Sequence, residues 1–160
     1  MGNRATVIFT NGEKISPAVY LHWSGGPETV YAFLGELDRR GVRADGEYDA
    51  ARFVQLVGEY FDGREKFTGL SLGIVNGPSE ISKGELAKVG TDHGDNGFYV
   101  VDRNLRTMRR FYERYDDGAL TIVEVPTVEV GKERDKAVIS AVYLRVLKAF
   151  VDYTEGYEVN

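Results

Sequence analysis

The chain of 160 residues is 42% hydrophobic and 28% charged, with a formal net charge of −5. Ten Tyr, eight Phe and one Trp are enough to build a core and exclude a disordered chain, and the acidic balance argues against non-specific attachment to nucleic acid or an anionic membrane. The absence of cysteine removes disulfides, a thiolate nucleophile and Cys-ligated metal from consideration.

This length fits one domain, expected over 1–160 with 126–160 as a C-terminal extension. Met1-Gly2-Asn3-Arg4 lacks the apolar run of a signal peptide, and no apolar run reaches bilayer length. A cytoplasmic protein without membrane contact is the expectation.

Ala5, Val7 and Phe9 alternate within Arg4 to Thr10, and Asn11-Gly12 suits a type I′ hairpin turn. A second strand is expected from about Lys14 to Trp23. Pro17 donates no ladder hydrogen bond, which places it at an edge or a bulge. Strict alternation points His22 away from Leu21 and Trp23. Gly25-Gly26 then turns the chain, Pro27 suits a first helical position, and Glu28 complements the helix dipole. Val30, Phe33, Leu34 and Leu37 form a helical stripe that Gly41 stops. A second helix is expected over about Tyr48 to Phe61, with Ala50, Phe53, Val54, Val57, Tyr60 and Phe61 as its apolar face.

Leu70, Leu72 and Ile74 suggest a short strand, broken by Asn76-Gly77-Pro78, and Glu80 to Leu86 fits a helical turn. Phe98 to Val101 is apolar on both faces and therefore central in a sheet. Arg106 to Tyr115 fits either period. The hairpin signal Asp117-Gly118 and the strand-like Leu120 to Val125 favour a strand. Ile139, Val142, Tyr143, Val146, Leu147 and Phe150 then predict a long C-terminal helix. The fold class expected is α+β: an antiparallel-rich sheet packed by two or three helices.

Three segments carry a resemblance. They are Leu21-His22-Trp23 followed by Gly25-Gly26-Pro27-Glu28, Ala51-Arg52-Phe53-Val54-Gln55-Leu56-Val57-Gly58, and Thr91-Asp92 with Gly94-Asp95-Asn96-Gly97, Tyr99 and Val101. In this order they resemble a family of small proteins of bacterial genomes, plasmids and phages, over roughly residues 20 to 103. The resemblance implies a mobile-element setting, in which small acidic proteins act on host proteins; it implies no catalytic residue and no cofactor.

Two stretches are the candidate sites. The first is the turn of His22, Trp23, Gly25 and Gly26. Amides at a helix start bind phosphate or carboxylate, and His22 adds a proton or a charge. Neither a P-loop nor a dinucleotide fingerprint is present, and the structural alternative is a strand-to-helix turn with Trp23 plugging the core. The second is the loop of Asp92, His93, Asp95 and Asn96. Its carboxylates and imidazole are metal-ligand types, but the spacing fails the calcium-loop pattern, and Asx/Gly turn chemistry accounts for the composition. Arg103, Arg106, Arg109, Arg110 and Arg114, with Phe111, Tyr112 and Tyr115, form a basic-aromatic segment of the kind that stacks bases. The alternative is a strand face whose arginines pair with carboxylates.

The functional expectation is a non-enzymatic binding protein with no cofactor. It engages a protein partner, or a small ligand, through the Trp23–Gly26 turn and the Asp92–Gly97 loop. A phage- or plasmid-encoded modulator of a host defence protein is the specific form. The rival is a metal-assisted hydrolase or nucleotide-processing enzyme centred on His22, Asp92, His93 and Asp95. Both require the two stretches to converge.

Overall fold

The computed structural model describes residues 3–11, 15–61, 70–73 and 96–125, together with Val146, Lys148 and Phe150. Among the described residues the named elements are six strands and two helices, in the order β1 (Ala5–Phe9), β2 (Ala18–Leu21), α1 (Pro27–Arg39), α2 (Gly46–Phe61), β3 (Leu70–Gly73), β4 (Phe98–Asp102), β5 (Thr107–Asp116) and β6 (Ala119–Val125). They form one α+β arrangement around a six-stranded sheet of order β3-β2-β1-β4-β5-β6. Only the β1–β4 pair is parallel; the other four pairings are antiparallel.

The second strand is shorter than expected. Val7 faces Val19, but Thr10 faces Ile15, so the register slips by one residue between them. Pro17 lies in that slip, a bulge that relieves it of a ladder bond. Ser16 sustains the pairing there: its amide donates to Phe9 O, and its Oγ accepts from Phe9 N–H at 2.9 Å. The strand ends at Leu21 because the chain turns at Ser24, whose φ is +64°. His22 therefore escapes strand alternation. Its ring meets Trp23 edge to face at 4.7 Å, instead of pointing away from it.

Both helices end as local chemistry dictates. Gly41, at φ +69°, closes α1 with a Schellman pair of hydrogen bonds, Gly41 N–H to Asp38 O and Val42 N–H to Leu37 O, each 3.0 Å. Val42 then packs on the core. Helix α2 starts at Gly46, two residues before Tyr48, because Asp45 and Asp49 cap it reciprocally. Asp49 N–H donates to Asp45 O, and Asp45 N–H donates to Asp49 Oδ2. The Glu36 carboxylate, fully buried, binds Arg39 and Arg40, and Arg40 reaches Glu59 on α2 at 2.6 Å. Burial alone would raise the Glu36 pKa; hydrogen bonds and charge from the two arginines outweigh it and hold the carboxyl below its ordinary 4.5.

The helices cover one face of the sheet. Val7, Phe9, Val19, Leu21, Tyr99, Val101 and Met108 pack there against Phe33, Leu37, Phe53 and Val57. Phe53 lies edge-on to both Phe9 and Phe33, with centroids 5.3 and 5.8 Å away, contacts worth about 0.5–1.5 kcal/mol each beyond area burial. The opposite face carries a second cluster, Ile8, Ala18, Phe98, Val100 and Phe111. Phe98 and Phe111 are directly opposed and stacked at 5.3 Å. β4 is buried along its whole length, as its two apolar faces require. β5 is a strand, and Asp117 and Gly118, both at positive φ, close the β5–β6 hairpin in the type I′ manner. Of the expected C-terminal helix, Val146, Lys148 and Phe150 are described and helical, with Val146 and Phe150 in the main core. The other positions expected to form a long C-terminal helix, Gly12 of the first turn, Ile74 and the expected turn at Glu80 to Leu86 lie outside the described residues, so a long helix there is not shown.

At the end of the sheet where β4 turns into β5, Arg103 points inward. Its guanidinium is 3% exposed; it binds Asp49 at 2.5 Å and Asp38 at 2.8 Å, and donates to Val42 O at 2.8 Å. One turn residue thus holds the end of α1, the α1–α2 loop and the start of α2. Burial pushes the Asp49 carboxyl above its ordinary 3.8, and the charge and hydrogen bond of Arg103 pull it back without cancelling the rise.

Removing the cation strands a buried carboxylate. Arg103→Met is expected to cost about 3–5 kcal/mol in urea unfolding at about pH 7. A carboxyl whose folded pKa lies above its unfolded value takes stability away as pH rises through that window. The loss is therefore smaller at about pH 4, and adding Asp49→Asn recovers part of it. The glycines give a second contrast. Gly97 and Gly118 both sit at positive φ, yet a Cβ at Gly97 would overlap the Phe111 carbonyl oxygen, whereas one at Gly118 meets nothing within 4 Å. Gly97→Ala is expected to cost about 3 kcal/mol or more and Gly118→Ala about 1 kcal/mol, read by the same unfolding measurement.

Candidate functional site

The Trp23–Gly26 turn and the start of β4 meet at the opposite end of the sheet, and Asn3 joins them. Its backbone N–H donates to His22 O at 3.1 Å, and its carbonyl accepts from Gly25 N–H at 2.7 Å. Its side-chain Oδ1 accepts from Asn96 Nδ2. Asn96 adds a backbone bond to Arg4 O at 3.0 Å, and Thr6 N–H donates to Gly97 O at 3.1 Å. From beneath, the buried Tyr99 hydroxyl donates to Gly25 O at 2.9 Å.

Glycine is required in this weave. A Cβ on Gly25 would lie 2.7 Å from both Ala5 Cβ and Asn3 O, so the turn closes on β1 only without a side chain. Gly26 caps α1, accepting from Thr29 and Val30 amides at 3.1 and 3.0 Å, and Pro27 occupies the first helical position.

Arg110 completes the site from β5. Its Nε donates to Asn96 O at 2.9 Å and its Nη2 to Asn96 Oδ1 at 3.2 Å. The guanidinium lies over the Tyr99 and Tyr112 rings, 5.6 and 4.7 Å from their centroids, and also donates to the Tyr112 hydroxyl. Burial raises the Tyr99 phenol well above its ordinary 10.0, against the opposing Arg110 charge. It therefore stays a protonated donor across the physiological range.

The expected site residues divide accordingly. His22, Trp23, Gly25, Gly26 and Asn96 are brought to one end of the sheet. Asp92, His93 and Asp95 lie outside the described residues. The Gly25 amide and the Asn96 side chain are committed to internal bonds, which removes one donor from the supposed anion cradle. Among the described residues no hydrogen bond joins Ser24 to His22, and no three His, Asp or Glu side chains group as metal ligands. His22 and Trp23 are half-buried, with Trp23 packed against the main core as the structural alternative expects, and Tyr20 extends the row to a ring 6.4 Å from His22.

No family model, no curated protein and no solved structure matches this chain.

The basic-aromatic segment does not form one surface. Arg103 is buried at the far end, Arg110 is bound to Asn96, and Arg109 pairs with Glu124 through two bonds of 2.7 and 2.9 Å on the opposite sheet face. Asn3, Tyr99 and Arg110 belong to the site and were not expected there. Tyr99 alone had a signal: its parity with Val101 puts it on the helix face of β4, where a buried phenol needs an acceptor.

Tyr99→Phe leaves Gly25 O without its buried donor. A loss of about 1–2 kcal/mol is expected, together with a changed fluorescence spectrum from Trp23, the chain's single tryptophan. An unchanged spectrum and midpoint would show that the turn holds without Tyr99.

Proposed function

We propose that this chain is a non-enzymatic binding protein that engages a protein partner through its Trp23–Gly26 turn and the adjoining Asn96. The observation that carries the reading is the division of labour at that end of the sheet. The Gly25 amide and the Asn96 side chain are spent on internal hydrogen bonds, while the His22–Trp23 pair stands half-buried at the surface above them. Aromatic side chains held in this way are what protein interfaces use as anchors. Helix α1 begins at the turn with Glu28 in its first turn, so a basic rim on the partner complements the site.

A phage or plasmid origin, a cytoplasmic setting and a host defence protein as the target go with this proposal on the strength of the sequence resemblance. The described residues contain no helix long and apolar enough to cross a membrane.

Affinity capture from bacterial lysates with the full chain tests the proposal, using Trp23→Ala and His22→Ala as controls. A specific partner should be enriched by the native chain and fall by about tenfold or more with Trp23→Ala. Equal recovery by native chain and variant, from several hosts, would remove the Trp23 turn as the binding surface.

A further inference from the structure

We propose a second docking surface, at the Arg103 end of the sheet, that receives an acidic segment of a partner protein carrying an exposed apolar side chain. Helix α1, of 13 residues, separates this end from the Trp23 turn by about 20 Å, so the two surfaces stand or fall separately.

The first observation is charge left unneutralised. Arg39, Arg40, Arg103 and Arg109 all pair with carboxylates. Arg43, Arg52 and Arg106 are exposed, and among the described residues none of the three has a carboxylate within ion-pair distance. Arg43 and Arg52 both lie over the one Tyr48 ring, 4.8 and 4.7 Å from its centroid. The ring attracts each cation, but the two cations repel each other with no anion between them. The ring engages each cation without consuming its N–H donors, which suit carboxylate oxygens. Arg52 Nη1 is engaged, with Gln55 Oε1 at 2.9 Å. Asp45 and Glu47 sit nearby at the start of α2, where they complement the helix dipole, and pair with neither arginine.

The second observation is Leu105, 72% exposed at the tip of the β4–β5 turn. It is not a loose side chain on a loose loop. Asp102 Oδ1 accepts from the Asn104 and Leu105 amides at 2.9 and 3.1 Å, and Arg103 anchors the turn from below. Asn104 Nδ2 reaches Ala44 O at 3.4 Å, which sets the turn against the loop that bears Arg43. Arg106, at φ +55°, follows Leu105 directly. An exposed leucine on a held turn, followed in sequence by Arg106 and set against the loop that bears Arg43, which shares the Tyr48 ring with Arg52, fits an acidic protein segment with an apolar residue. Nucleic acid would use the arginines and leave Leu105 idle.

Fluorescence anisotropy of the full chain with a labelled peptide of alternating Glu and Leu tests this. The peptide should bind in a salt-sensitive manner, and a Lys/Leu peptide should not. Arg43→Glu with Arg52→Glu should weaken binding by about tenfold or more, and Leu105→Ser by about threefold. All three positions are exposed, and circular dichroism should report an unchanged fold. The proposal is overturned by no binding of the Glu/Leu peptide, or by binding that the arginine substitutions leave intact. Binding abolished by Trp23→Ala but not by the arginine substitutions overturns it by placing the peptide at the other end. Tighter binding of an oligothymidylate strand, indifferent to Leu105→Ser, would assign the arginines to nucleic acid. Concentration-dependent dimerisation abolished by the arginine substitutions would give the surface to a second copy of the chain.

Discussion

The architecture depends on one buried cation. Arg103 sits in a turn, where an arginine is normally solvated, yet its side chain is 3% exposed. Taking a guanidinium out of water costs several kcal/mol unless it is paired and hydrogen-bonded. Here Asp49, Asp38 and the Val42 carbonyl offset that cost, and each comes from a different part of the helical layer. The aromatic contacts of Phe9, Phe33 and Phe53 bring helices and sheet together without direction. Arg103 supplies the direction, because its Nη1 and Nη2 meet Asp49, Asp38 and the Val42 carbonyl in one placement of the two helices, even though its buried Nε has no partner among the described residues.

The other end of the sheet is secured differently. There the backbone of Asn3 lies between the turn of His22 to Gly25 and the start of β4, and Tyr99 ties the turn from the core side. Apart from the Arg110 guanidinium the polar groups are neutral, and backbone and side-chain bonds share the work. The result is a rigid platform that holds His22 and Trp23 in place. Under the proposed binding role, a half-buried aromatic pair held in this way would lose little conformational entropy on contact with a partner.

Much of the architecture was legible in residue order. Gly41 as the stop of α1, Pro27 at its first position, the buried character of β4 and the hairpin at Asp117-Gly118 all follow from backbone preference or periodicity. The two readings of Arg106 to Tyr115 separated correctly because the hairpin turn could be recognised. Pro17 marked a bulge, but strict alternation carried through it misplaced His22, since one slipped residue and the turn at Ser24 end the period. The candidate site was legible only in part. The Trp23 turn and Asn96 were marked by composition, but the hydrogen bonds that consume Gly25 and Asn96 were not. The five arginines looked like one patch because they are close in sequence, whereas a strand sends neighbours to opposite faces and a turn sent Arg103 inward.

By itself, the order of residues determined which stretches become helix or strand, though not the bounds of β2 or the start of α2, and it marked which faces are apolar and which turns need glycine. Those preferences are settled between neighbours a few positions apart. Tertiary structure alone decided which polar group meets which. Arg103 and Asp49 are 54 positions apart, and Asn3 and Asn96 are 93 apart. No local pattern records such a pairing, because a donor and its acceptor are chosen by proximity after the apolar faces have closed, when any polar group left unpaired in the interior would cost more than the bond it finds.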